Sequence, residues 1–294
     1  MSGFKRDRQG NTKRHGDGPK ATAKPAVRNA FTPMFEGLRD ELDAHHDRRA
    51  RLWKSSRDVT ALSKKIIFSL QRVRNIENEL PPNIQGEVDS RLAEVSQLLA
   101  VMAPEIQGIN RYRYARSLDC LEELVEALTF YHYLKTQTLI SHKALTPIVD
   151  DLVRQGVAAS EDAVMESPEA PESAKESEAL TIGLTDEDYL YGVFDLTGEM
   201  MRFATTSSAL TGKLAGGDTE DGRNIVQDMH ELGSFFEMLP YRGGPKSIWE
   251  KKLEVTRQSV QKVEKLGYDL KVRGSERPKG WIPDFNSTEQ EAED

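Results

Sequence analysis

The sequence predicts an all-α protein, and three observations carry the prediction. Apolar residues recur at steps of three, four and seven along several extended stretches, the spacing that places side chains on one face of a helix. No segment sustains the alternation of apolar and polar residues that marks a strand. Proline and glycine fall mainly between the periodic stretches, where helices end.

Residues 1–30 carry eight Lys or Arg against two Asp, with no apolar period, and predict a disordered basic tail. Its KRDR and TKRH clusters resemble a nuclear-import address or a loose phosphate contact, with a solubilising tail as the plainer reading. From Phe35 the pattern changes. Leu38, His45, Leu52, Val59, Ile66 and Val73 fall at seven-residue intervals, with Leu42 and Leu70 on a second seam. That predicts a helix of about 40 residues, near 60 Å at about 1.5 Å per residue, closed by Pro81 and Pro82. His45 and His46 have no His or Cys at ligand spacing and are read as packing or surface residues. Val88, Leu92, Val95, Leu99 and Met102 trace a second helix, ended by Pro104.

The stretch from Arg111 to Ile140 contains neither Gly nor Pro, and Leu118, Leu121, Val125 and Leu128 form one helical face within it. Its start interleaves Arg111, Arg113 and Arg116 with Tyr112 and Tyr114. This suits phosphate contact and base stacking as well as it suits plain helix-end surface. Lys135, about three turns beyond Glu123, is placed to reach a phosphate.

Residues 158–180 hold seven acids, one lysine and two prolines and predict a disordered acidic insertion. Thr185, followed by Asp186, Glu187 and Asp188, predicts the start of a new helix. Leu190, Val193, Leu196, Met200 and Phe203 continue it. A shorter helix follows from Asp218, broken by Gly233 and Pro240. After Gly243, Gly244 and Pro245 comes the last long helix, with Trp249, Leu253, Thr256, Val260, Val263, Gly267 and Leu270 alternating steps of four and three. Beyond Gly274 the chain turns polar, and 284–294 predicts a disordered acidic tail.

The totals narrow the function classes. A net charge of −8 argues against nucleic-acid binding by bulk charge and leaves the matter to local basic surface. Cys120 is the only cysteine, which rules out an internal disulfide and suits a reducing compartment. No apolar stretch approaches the roughly 18 to 20 residues of a spanning helix, and the first thirty residues lack a signal-peptide apolar region. The expectation is a cytoplasmic and nuclear protein without a membrane partner. The chain lacks a phosphate-binding GxxxxGKS loop, which removes the nucleotide-hydrolase class.

Acids at helical spacing are the candidate chemistry. Glu122 and Glu126 are four apart, Glu123 and Glu126 three apart, and Asp195 and Glu199 four apart on another helix, with few lysines near the second pair in sequence. Like charges at this spacing usually lie on a solvated face. If the two sets instead turn inward toward each other, they require a cation or a proton. A ferritin-like di-iron site needs Glu-x-x-His, but Thr129 and Arg202 stand where the histidines would be. An all-oxygen set suits Mg2+ or Mn2+. With such ions, opposed carboxylates can activate water for in-line attack on a phosphodiester.

Four blocks add a resemblance: FEGLRDELDAHHDRRARLWKSSRDVTALSKKIIFSLQR, LEELVEALTFYHYLKTQTLIS, DYLYGVFDLTGEMMRF and KKLEVTRQSVQKVEKLGYDLKVRGSERPK. In this order, over roughly residues 31–283, they resemble the translin family, in particular its catalytic subunits. The resemblance implies a seven-helix α domain over 31–283 that carries the 158–180 insertion. It also implies assembly with translin into a hollow hetero-octamer, and Mg2+-dependent endoribonuclease activity on single-stranded or nicked RNA in small-RNA or tRNA processing. Single-stranded RNA or DNA is the implied ligand. The family's catalytic acids fall on Glu123, Glu126 and Asp195 and its metal ligands on Glu126 and Glu199. Glu122 is an acid beyond that set, expected to be a bystander because it lies about 100° around the helix from Glu123. The alternative is a non-catalytic helical scaffold that binds single-stranded nucleic acid and protein partners.

Overall fold

The computed structural model describes residues 29–164, 180–216, 222–240 and 247–273. All but the last two residues of the expected basic tail, residues 165–179 of the expected acidic insertion, and the tail 284–294 lie outside the described residues. The described chain is helical: α1 (Thr32–Leu70), α2 (Pro82–Met102), the short α3 (Asn110–Arg113), α4 (Cys120–Thr136), α5 (His142–Val164), α6 (Asp186–Thr211), α7 (Ile225–Met238) and α8 (Ile248–Arg273). Among the described residues there is no strand, only an isolated bridge between Gly216 and Asn224. No described helix is long and apolar enough to cross a membrane.

The chain divides into two units, residues 1–46 and 47–294. In the first, the Asn29 side chain accepts from the backbone N–H groups of Phe31 and Thr32 at the start of α1, and Leu38 and Leu42 are exposed. The second holds the core. One cluster joins the end of α1 and the start of α2 to α4, α6, α7 and α8 through Ile66, Leu70, Phe130, Leu196, Met200 and Leu266. The other joins the middle of α1 and α2 to α4 and α5 through Val59, Leu99, Leu121, Val149 and Val153.

Sequence punctuation worked unevenly. The first helix ends at Leu70, well before the Pro81–Pro82 pair expected to close it. Pro82 instead opens α2, because a fixed φ and a missing N–H suit the first helical position. The Arg111–Ile140 stretch is not one helix. It passes through α3 and a 3-10 turn (Ala115–Ser117) before α4 begins at Cys120, and α4 is capped after Thr136 by Gln137, whose left-handed backbone (φ 53°) sends its N–H to the Tyr133 carbonyl. Residues 158–164, grouped by composition with the acidic insertion, continue α5. Gly233 does not break α7; a Cβ there would lie 3.1 Å from Val260 Cγ2, so the glycine admits α8 instead. Thr185 does cap α6, in a reciprocal box with Asp188 that contributes about 1 kcal/mol.

Two features anchor the bundle. The buried Asp228 carboxylate accepts from the Tyr133 hydroxyl (2.7 Å) and the Gln137 amide (3.0 Å) and pairs with Arg223, tying α4 to α7. Cys120 is fully buried, and burial pushes its thiol up to about 12.

Candidate carboxylate site

The site begins with a helix contact. At Gly192 of α6 a Cβ would stand 2.6 Å from Val125 Cβ and 2.7 Å from the Glu122 carbonyl, so only glycine lets the α6 backbone come this near α4. One and two turns beyond Gly192, Asp195 and Glu199 reach the level of Glu123 and Glu126. Glu126 and Glu199 are each only 9% exposed. Glu123, Glu126, Asp195, Phe194, Lys252 and Val255 line a cleft of about 390 Å3 between α4, α6 and α8.

The structure brings Glu123, Glu126 and Asp195 to one cleft, and their electrostatics record it. The Glu126 carboxyl is pushed up to about 8, first by burial and then by repulsion from Glu123, Asp195 and Glu199. Burial also raises Glu122 and Glu123, opposed by Lys252 and Lys64 respectively.

Three partners were not legible from neighbouring sequence. Lys252, 57 residues from Asp195, places its Nζ 2.6 Å from Asp195 Oδ2 and 3.5 Å from Glu122 Oε2, so the second acid pair does have a lysine and Glu122 is no bystander. Lys64 of α1 comes within 3.7 Å of Glu123. Gln71, just past α1, donates to Glu199 at 2.7 Å, and Arg202 stands 3.5 Å from the same carboxylate. The signal for Lys252 was its place at the head of the KKLEVTRQ block, which spacing alone could not assign.

The expected basic contacts behave differently. Arg111 is buried, donates to the Gly183 carbonyl and pairs with Asp188, and Tyr114 is 1% exposed, so this half of the RYRYAR segment is structural. Tyr112, Arg113 and Arg116 remain on the surface. The Lys135 ammonium donates to the Tyr131 hydroxyl at 3.3 Å and borders a separate polar cavity with Lys213, Asn75 and Asn78.

Among the described residues no three His, Cys, Asp or Glu side chains are gathered as a ready metal site. The acids have partners within the chain: Asp195 and Glu122 pair with Lys252, Glu123 with Lys64, and Glu199 with Gln71 and Arg202. The donor chemistry fits a hard divalent cation, since every donor is a carboxylate oxygen and the pull of Lys252 on Glu126 falls short of burial and three neighbouring acids.

Fold and site together define an all-α protein with an acid-lined cleft between three helices. The chain belongs to the translin family, whose model matches residues 47–274, inside the span 31–283 expected from the four blocks. It is 36% identical over 256 residues to translin-associated protein X of Mus musculus, covering 86% of this chain and 82% of the relative. The translin-associated protein X homolog of Schizosaccharomyces pombe is 25% identical over 244 residues, covering 83% and 89%. Translin of Homo sapiens is 29% identical over 248 residues, covering 83% and 94%. Among solved structures, the fold matches that of the crystal structure of apo-NeC3PO with a TM-score of 0.54, at 17% identity and over 81% of this chain and 97% of that one.

Proposed function

We propose that the chain is the catalytic subunit of an assembly with translin, a Mg2+-dependent endoribonuclease, with Mn2+ as a substitute ion, that cleaves single-stranded or nicked RNA. One observation supports this above the others: Glu123, Glu126 and Asp195, from two helices, line one cleft, and Glu126 there is raised by burial and by repulsion from Glu123, Asp195 and the neighbouring Glu199. The relatives support the subunit assignment, since identity to the mouse translin-associated protein X exceeds identity to human translin. Trp53, Phe68, Phe235 and Met238 are exposed apolar side chains and support a protein partner, which we take to be translin in a hollow hetero-octamer. Work on small RNA or tRNA in cytoplasm and nucleus, and binding of single-stranded DNA by the same cleft, belong to the same proposal.

Glu126 and Glu199, each only 9% exposed, would hold the ion. When bound, a divalent ion supplies Lewis-acid polarisation of the phosphate and a lowered pKa for water. Glu123 borders the cleft with its carboxyl raised by burial, which suits a group that accepts a proton from the attacking water and later returns it. Asp195, which lines the cleft with Glu123, would fix the direction of that water.

The scaffold reading draws on the fact that most of these acids already have internal partners. Cleavage of a single-stranded RNA by the purified assembly at fixed Mg2+ separates the two. Glu126→Gln and Glu199→Gln should each lower cleavage by about 100-fold or more while assembly mass is unchanged. Wild-type rates in both variants would leave the scaffold.

A further inference from the structure

Of the two lysines that line the cleft, Lys251 and Lys252, it is Lys252 whose ammonium is paired with the acids. Its Nζ has three oxygen neighbours: Asp195 Oδ2 at 2.6 Å, Glu122 Oε2 at 3.5 Å and the Tyr191 carbonyl at 3.4 Å. It also lies 5.5 Å from the centre of the Tyr191 ring, and its side chain is 18% exposed. Carboxylate and carbonyl oxygens around a compact charge are the surroundings that an oxygen-seeking divalent ion takes. Lys64, by contrast, is 64% exposed at 3.7 Å from Glu123, and a solvated pair of that kind contributes little.

We propose that Lys252 is the site's internal counter-ion, and that a divalent cation binds by displacing its ammonium, which then turns to a phosphate of the substrate. This rests on the metal-dependent reading above. Three physical points support it. The acids on α4 and α6 repel one another, and Lys252 opposes that repulsion at both Glu122 and Glu126. A divalent ion entering among those acids meets the ammonium as a like charge at the wall of the same cleft. A lysine, with a flexible four-carbon stem and freely rotating donors, can leave the acids without unfolding the helix, and a phosphate offers it equivalent oxygen partners. Asp195 and Glu122 are both paired with this ammonium, so its departure frees two carboxylates at once.

The test uses the full-length chain in the assembly in which it purifies. Mg2+ and Mn2+ binding is measured by calorimetry for the wild type, Lys252→Met and Lys252→Arg, and the labelling rate of Lys252 by reductive methylation is followed by mass spectrometry with and without the ion. Lys252→Met should bind the ion about 10-fold more tightly, Lys252→Arg should stay within about 3-fold of wild type, and wild-type Lys252 should label several-fold faster once the ion is present. Equal or weaker binding by a folded Lys252→Met overturns the proposal, as does an unchanged labelling rate. If Lys252→Met does not fold, the labelling of wild-type Lys252 decides alone. Binding that Glu126→Gln abolishes but Lys252→Met leaves unaltered would overturn displacement and keep the metal reading. No binding by the wild type would remove both.

Discussion

Glu126→Gln should stabilise the protein when divalent ions are chelated, and the gain should depend on pH. The carboxyl rises from an ordinary 4.5 to about 8 in the folded chain. At about 1.36 kcal/mol per pH unit, that interval corresponds to a penalty of up to about 5 kcal/mol on the ionised form. The sign follows from proton binding. The folded state holds this proton more tightly than the unfolded state, so wild-type stability is intact below about pH 4.5, falls as pH rises, and levels off above about pH 8. Glutamine keeps the shape and never ionises. Denaturant melts of both proteins in chelator should therefore agree near pH 4 and diverge by about 2 to 5 kcal/mol at pH 8 to 9, with the variant the more stable. Adding Mg2+ should close the gap by stabilising the wild type. Parallel stability profiles for the two proteins across this range would refute the claim that Glu126 is an uncompensated buried acid.

Gly192→Ala should cost about 1 to 3 kcal/mol despite the better helix propensity of alanine, because its Cβ would meet Val125 at 2.6 Å. It should also impair cleavage by moving Asp195 and Glu199 away from α4, and an unchanged thermal midpoint with full activity would count against the close approach. Asp228→Asn should cost about 1 to 3 kcal/mol, since it removes a charged acceptor from Tyr133, Gln137 and Arg223, while leaving cation affinity alone; a denaturant midpoint equal to wild type would contradict this.

What could be read from the sequence was whatever a single helix specifies. The seam from Val88 to Met102, the Thr185 cap and the α8 repeat all depend on contacts within one element or on its buried face. The misreadings arose where a residue's role is set from elsewhere. Pro81 and Pro82 marked a new start rather than a late stop, and Gly233 looked like a breaker because the sequence does not reveal that Val260 lies against it. The acid pairs were legible as pairs. Their cation was not, because Lys252 arrives from a helix 57 residues beyond Asp195. Arg111 was undecided between phosphate contact and surface for the same reason, its partner Asp188 lying 77 residues away.

The sealed thiol of Cys120 makes the molecule convenient to instrument. With its thiol pushed up to about 12, only on the order of one molecule in 10^4 to 10^5 presents a thiolate at neutral pH, and that sulfur has no exposed surface for a reagent to approach. Maleimide dyes and spin labels will pass it by. A cysteine installed at Val255, more than half exposed on α8 and bordering the acidic cleft, would then be the sole reactive handle on an otherwise unaltered chain. A fluorophore there would report in real time how α8 responds as ions and RNA arrive.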